Sequence, residues 1–346
     1  MAGECRVIGL LQRSNLPTVC ILAAVLALAF GLHFVQAYTA PAGMPPRAGD
    51  NGKPDFAIGG LEYPRHATDA EGHLVTITKP ARKISSHYWS IDDFVYAVVP
   101  PENVISVSES AYDRSYSNVY RQAERYRPAI GTNAELVLKL NPDLILASSF
   151  VRNDSTGILR DAGVPVFRMF TMFTTLDQIA RTILLTGYLT GYDAEARRAY
   201  DDFTRAVERA KGRKPAGAAA PRILGYRFLG STGRYSYGDK TLFHDVVRTV
   251  GGINVGAENG LHGYDPISAE QLVRWNPEWI VANADVGQSA TVFRRLLDDP
   301  AVRLTIAAQK RQLIVVEHNA FVPMSPFTIL LLNALSEGLY PAETGT

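Results

Sequence analysis

The chain has 346 residues, 47% of them hydrophobic and 20% charged, which suits globular folding and is long enough for two packed lobes. Lys plus Arg number 35 against 34 Asp plus Glu, so no overall field favours nucleic acid or an anionic membrane surface. Both cysteines, Cys5 and Cys20, sit in the N-terminal segment, which leaves the remainder without a disulfide, a cysteine metal ligand or a cysteine nucleophile.

Arg6 and Arg13 precede an apolar run over residues 19–32, and Val35-Gln36-Ala37 places small residues where a signal peptidase reads. Residues 1–37 are therefore expected to be a signal peptide or an uncleaved membrane anchor, which puts the protein in the periplasm or another extracytoplasmic space. The run is short beside the ~20 residues of a membrane span. Cys20 lies at the front of the run, a poor place for lipid attachment. Residues 38–67, rich in Pro, Gly and Ala at their start, read as a linker.

A first lobe is expected over 68–175. TDAEGHLVTIT (68–78) alternates about Glu71-Gly72 and predicts a β-hairpin. KISS (83–86) reads as a strand, SIDDFVYAVV (90–99) as a helix, and NVISVS (103–108) as a strand. A helix over 135–140, a strand over 143–147 and a strand in VPVFRMF (164–170) follow. Such alternation implies a parallel sheet covered by helices. From 176 to 213 there is no proline, and apolar residues recur at helical steps: a backbone helix bridging two lobes, which Gly187 and Gly191 should bend or break near Gly191-Tyr192. The second lobe, 214–341, carries strand signals in RILGYRFL, WIVANA and LIVVEH and a last helix over 326–339.

Within this order one phrase occurs twice. TNAELVLKLNPDLILASS (132–149) and ISAEQLVRWNPEWIVANA (267–284) align at a constant offset of 135 residues, matching Glu135 with Glu270, Asn141 with Asn276 and Pro142 with Pro277. Thr132 or Asn133 can cap the first helix, with Thr132 and Glu135 forming a capping box; Ser268 and Gln271 can do the same in the second. Each proline bars helix from the residue before it and turns the chain into a strand. On this physics alone the two glutamates are first-turn carboxylates favoured by the helix dipole.

NAELVLKLNPDLILA and SAEQLVRWNPEWIVA resemble the paired signature of the class III periplasmic binding proteins, the helical-backbone receptors that hand ferric siderophores, haem or cobalamin to ABC importers. The likeness spans residues 68–341 and includes Ser325-Pro326 before the last helix. It implies an α/β fold of two Rossmann-like lobes with mostly parallel sheets, bridged by a long α-helix, with a ligand cleft between the lobes. It also implies that Glu135 and Glu270 pair with arginines of an inner-membrane ABC permease, and that the receptor acts as a monomer. The chain departs from the family where His87-Tyr88-Trp89 follows the first strand in place of small residues, and where Pro100-Pro101 replaces the glycine that usually ends the next helix.

Ligands of open α/β sheets bind beyond the carboxyl ends of the strands. The loops expected there carry Tyr88, Trp89, Tyr112, Arg114, Tyr116 and Arg152 in the first lobe, and Arg234, Tyr235, Tyr237 and His318 in the second. Aromatic faces suit a large planar ligand and arginines suit carboxylate or catecholate oxygens. The reading leans to an iron chelate, a siderophore or haem, ahead of cobalamin, with Tyr112, Tyr116, His87 and His318 as candidate axial ligands for haem iron. No resident cofactor is expected: the seven histidines show neither HxH nor HExxH spacing. The absence of Gly-x-Ser-x-Gly, GxGxxG and Walker patterns argues against an exported hydrolase. A tethered ligand sensor without a permease is the remaining alternative, favoured by an uncleaved anchor.

Overall fold

The computed structural model describes residues 61–126, 129–150, 155–229 and 233–341. All of these residues belong to one compact unit. The expected signal segment, most of the linker and Arg152 lie outside the described residues.

The hairpin forms from β1 (Arg65–Thr68) and β2 (Leu74–Ile77), antiparallel, so the strand begins inside the stretch read as linker. Arg65 anchors it, its guanidinium donating to the Tyr188 carbonyl at 2.8 Å and to Asp193 at 2.7 Å. The first lobe is a wholly parallel sheet in the order β4-β3-β5-β6, built from β3 (Ile84–Ser86), β4 (Val104–Ser106), β5 (Leu144–Ser148) and β6 (Val166–Met169). Helices α1 (Trp89–Val98), α2 (Ala134–Lys139) and α3 (Ser155–Asp161) connect its strands. The β5 residues are all buried, as expected for a parallel strand covered on both faces.

The bridge is not one helix. It is α4 (Leu176–Thr190) and α5 (Asp193–Gly212), packed against each other and joining β6 to the second lobe. Thr175 and Gln178 close a capping box at the start of α4, and Gly191 ends it in the left-handed region at φ 86°. The tertiary setting accounts for the break. A Cβ on Gly191 would stand 2.5 Å from the Tyr63 hydroxyl and 2.9 Å from Pro80, and one on Gly187 2.3 Å from the Ala196 methyl. Gly191→Ala should therefore lower stability by roughly 2–4 kcal/mol, combining left-handed strain with overpacking. An unchanged urea midpoint would contradict this account.

The second sheet runs β10-β8-β7-β11-β12. Here β7 (Arg222–Phe228), β11 (Trp279–Ala284) and β12 (Leu313–Glu317) are parallel, and β9 (Ile253–Asn254) also pairs with β7. β8 (Arg234–Tyr237) and β10 (Tyr264–Ile267) add an antiparallel edge absent from the sequence reading. Helices α6 (Leu242–Thr249), α7 (Ala269–Trp275), α8 (Ser289–Asp298) and α9 (Thr328–Leu339) pack around it. One face of this sheet, through Ile223, Val281 and Val316, belongs to the same apolar core as α1, α4, α5 and α9; the other, through Leu224, Ile280 and Ala282, has its own core with Leu272 and Trp275. The two lobes thus share a continuous hydrophobic interior around the helix pair, so the link is stiff rather than a tether.

The repeated phrase has a conformational cause. Asn141 and Asn276 both adopt positive φ, 51° and 44°, the left-handed state that asparagine tolerates and that ends each helix ahead of its proline. Asn133, not Thr132, caps the first copy, accepting from the Leu136 N–H at 3.1 Å, whereas Ser268 and Gln271 form the expected capping box in the second.

Candidate ligand cleft and transporter-facing surface

At the carboxyl end of β3 the chain enters α1 through His87, Tyr88 and Trp89. Tyr88 precedes the helix with extended backbone, and its ring lies 5.5 Å from that of Trp89, both half-buried. His87 is buried and its Nε2 lies 2.9 Å from the Ser85 hydroxyl. Burial, reinforced by the Arg168 guanidinium, lowers the imidazole pKa to about 4, so it is neutral at physiological pH. Tyr112 donates its hydroxyl proton to the Tyr126 carbonyl at 3.2 Å, within its own lobe, and the Arg114 guanidinium lies over the Tyr120 ring at 5.2 Å.

Residues 113–119 then cross to the second lobe. The Tyr116 ring meets the His318 imidazole edge-on at 4.8 Å, and Asn118 Nδ2 donates to the Asn319 carbonyl at 2.8 Å. His318 opens a helical turn directly after β12 and is 3% exposed. Its Nδ1 lies 2.7 Å from Asn283 Nδ2 at the end of β11; with Nδ1 accepting, the ring proton sits on Nε2. Burial, with the Arg227 guanidinium acting in the same sense, lowers its pKa to about 4. Burial also raises the Tyr116 hydroxyl, against the opposing pull of Arg227.

Arg234, Tyr235 and Tyr237, expected in a loop, lie instead on β8. Period-two alternation puts both tyrosines on one face of the ribbon, and the β8–β10 register brings Tyr264 opposite Tyr237. The result is a ladder of rings: Tyr235 stacks on Tyr264 at 5.1 Å and 18°, Tyr264 lies 4.9 Å from Tyr237, and Tyr237 lies 5.4 Å from Phe321. Gly225 on β7 makes room for it, since a Cβ there would stand 2.6 Å from the Tyr237 ring. Arg234 turns away from this ladder, donating to Asp299 at 3.0 Å and lying 5.5 Å from the Phe228 ring. Its charge is compensated internally, which leaves it poorly placed to meet an anionic ligand.

The structure therefore brings Tyr116 and His318 together between the lobes and assembles Tyr235 and Tyr237 into one wall. It engages His87 and Tyr112 inside the first lobe, so of the four candidate axial ligands only Tyr116 and His318 stand at the junction. Sequence reasoning missed Asn118, Asn283, Arg227 and Tyr264. Pro266 hides the β10 strand signal, and the others act through contacts distant in sequence. A separate recess of about 410 Å³ lies between α8 and β12, lined by Ser289, Phe293, Arg294 and Val315; Val315 packs on the sheet face opposite Val316.

Glu135 and Glu270 occupy the first turns of α2 and α7, and both are exposed. Neither enters a salt bridge with another described residue. The Ser268 hydroxyl holds the Glu270 carboxyl below its ordinary pKa. No helix among the described residues is long and apolar enough to cross a membrane.

Two sheets joined by a helix pair, with Tyr116 of one lobe resting on His318 of the other, match a known architecture. The model of a family described as periplasmic binding protein matches residues 84–320. The chain belongs to the periplasmic binding protein family. A cobalamin-binding protein of Halobacterium salinarum is 30% identical over 191 residues, covering 54% of this chain and 50% of that protein, so the chain spans about half the length of that relative. A vitamin B12-binding protein of Yersinia pestis is 26% identical over 233 residues, covering 67% of this chain and 80% of that one. Among solved structures, a possible iron-binding periplasmic solute-binding protein from Staphylococcus epidermidis superposes with a TM-score of 0.64 at 19% identity, over 76% of this chain and all of that one. Periplasmic binding proteins bind small ligands and work with ABC transporters; they are transport components rather than enzymes.

Proposed function

We propose that this chain is the extracytoplasmic solute-binding component of an ABC importer and that its cargo is a corrinoid. The observation that carries the cargo is the Tyr235–Tyr264–Tyr237–Phe321 ladder, a run of neighbouring aromatic rings beside which Arg234 is engaged by Asp299. Such a wall suits a broad macrocycle better than a polyanionic chelate. The two cobalamin- and B12-binding relatives agree with it. A second reading, the ferric chelate or haem expected from the sequence, is favoured by one observation: Tyr116, a phenol oxygen donor, stands between the lobes with its ring against the His318 imidazole. Export by residues 1–37 and docking through Glu135 and Glu270 belong to the same proposal, as does action as a monomer.

Tryptophan fluorescence tests the cargo. Trp89 follows the carboxyl end of β3, where a cleft ligand is expected, whereas Trp275 is buried in the second core and Trp279 is half-buried at the opposite, amino end of β11. Titration with cyanocobalamin, haem, ferric hydroxamate and ferric catecholate should show submicromolar quenching by cyanocobalamin alone, lost in Trp89→Phe. Tyr235→Ala should weaken that affinity by about tenfold, the worth of one stacked ring. Quenching by a ferric chelate or haem instead would replace the first reading with the second, and silence to all four would leave the tethered-sensor alternative standing.

A further inference from the structure

The two lobes are tied by a buried polar seam that starts from one carboxyl group. Asp92 and Asp93 are adjacent on α1 and both are fully buried, yet they face different ways. Asp92 serves its own lobe, accepting from the Ser108 N–H and hydroxyl. Asp93 reaches across: its Oδ2 accepts from the Ser325 hydroxyl at 2.8 Å, and Ser325 is itself fully buried at the entrance to α9. The Ser325 oxygen accepts in turn from the Phe327 N–H at 3.2 Å, which seats the final helix. Asn118, from the first lobe, stands close enough to Asp93 to oppose the effect of burial on its carboxyl, and its Nδ2 donates to the Asn319 carbonyl. Two residues earlier Tyr116 rests on His318.

We propose that Asp93 is a positioning residue for the cleft, holding Ser325 of the second lobe against α1 of the first, beside Asn118, and so setting how Tyr116 meets His318. The proposal rests on the cleft being the ligand site. It does not depend on which ligand enters.

The chemistry of the seam gives it a pH signature. No cation faces Asp93 among the described residues. From the elements packed on α1, which are β3, β5, α4, α5 and the turn Glu109–Tyr112, the ionisable side chain that acts on it is Asp92. Ser325 and Asn118 do not titrate. His87, at the end of β3, is coupled to Arg168, and Arg227, Asp113 and Asp285 surround Tyr116 instead. Burial raises the Asp93 carboxyl well above its ordinary range, outweighing the hydrogen bond from Ser325, and the neighbouring Asp92 adds to the rise. A neutral acid is therefore the form that makes the tie, and alkaline ionisation places an uncompensated charge in it.

The test compares wild type with Asp93→Asn, Ser325→Ala, Asn118→Ala and, as a control for the adjacent acid, Asp92→Asn. Ligand affinity from Trp89 quenching and hydrogen-exchange protection of residues 113–119 and 318–322 are followed from pH 5 to 9.5. In the wild type, affinity should fall at least tenfold and protection should be lost toward alkaline pH. Asp93→Asn, which cannot ionise, should hold both at the low-pH level, while Ser325→Ala and Asn118→Ala should weaken both across the whole range. Hydrogen exchange needs no ligand, so failure to bind any of the four probes would sink the cargo reading and still test the seam. An alkaline fall in Asp93→Asn equal to that of wild type, or its abolition by Asp92→Asn alone, would overturn the proposal. Should Asp93→Asn fail to fold, unchanged protection in Ser325→Ala and Asn118→Ala would do the same.

Discussion

Asp92→Asn should stabilise the protein at pH 8, by up to about 4 kcal/mol, and steepen the rise of stability with pH in the acid range. Burial raises the Asp92 carboxyl pKa to about 7, against the lowering effect of its hydrogen bonds from Ser108. A carboxyl whose folded pKa lies above its unfolded value contributes stability that is present below about pH 4 and lost as pH rises through about 7. The interval between the ordinary value and about 7 corresponds to the quoted energy, an upper bound because the site relaxes around the charge. Asparagine keeps an acceptor for the Ser108 N–H and never ionises. His87 and His318 act in the opposite sense: each is neutral when folded, so its contribution is present above about pH 6.5 and lost as pH falls through about 4. Between about pH 4 and 6.5 Asp92 loses stability while the two imidazoles gain it, so the acid offsets part of the histidine trend in the wild type. Urea unfolding of Asp92→Asn should show stability rising with pH over that window. A variant no more stable than wild type at pH 8 would refute the assignment of Asp92 as the neutral partner of Ser108.

Reversing both exposed glutamates, Glu135→Arg with Glu270→Arg, should abolish transport while leaving ligand affinity at its wild-type value. Each carboxylate stands exposed on the first turn of a short helix, one on each lobe, without an internal ion pair among the described residues. Their loss costs the fold little, about 0.3–1 kcal/mol apiece from the helix dipole. Two like-charged positions repeated on two lobes suit bidentate arginines on a two-fold partner, which orient a complex more than they tighten it. Uptake by cells carrying the variant, set beside fluorescence titration of the purified protein, separates the outcomes. Loss of ligand affinity in the double variant would remove the glutamates from the docking surface, and undiminished uptake would remove docking from the proposal.

The parts of this architecture that were readable in advance share a physical basis. Alternating β and α signals, the asparagine–proline breaks at 141–142 and 276–277 and the Ser268–Gln271 capping box act within a few residues, where backbone sterics and hydrogen bonds to near neighbours decide the outcome. The expected break near Gly191 rests on the same local grounds, although its sharpness comes from Tyr63 and Pro80, far away in the chain. What was misread lay beyond that range. Residues 234–237 were expected in a loop because β10, the strand that completes their pairing, carries Pro266 and lacks a strand pattern. Arg234 was expected to face a ligand, but its partner Asp299 lies 65 residues onward.

By itself the sequence determined the fold class, the two lobes, the repeated helix–strand unit and the exposed glutamates, because periodicity and local capping are properties of neighbours in the chain. Only the tertiary structure decided which rings form the wall, that His87 and Tyr112 are engaged within one lobe while Tyr116 and His318 meet between two, and that Asp93 reaches Ser325. Those choices depend on burial and on partners outside the local chain, most of all Tyr116 with His318 and Asp93 with Ser325, whose interaction exists only once the apolar core has closed around them.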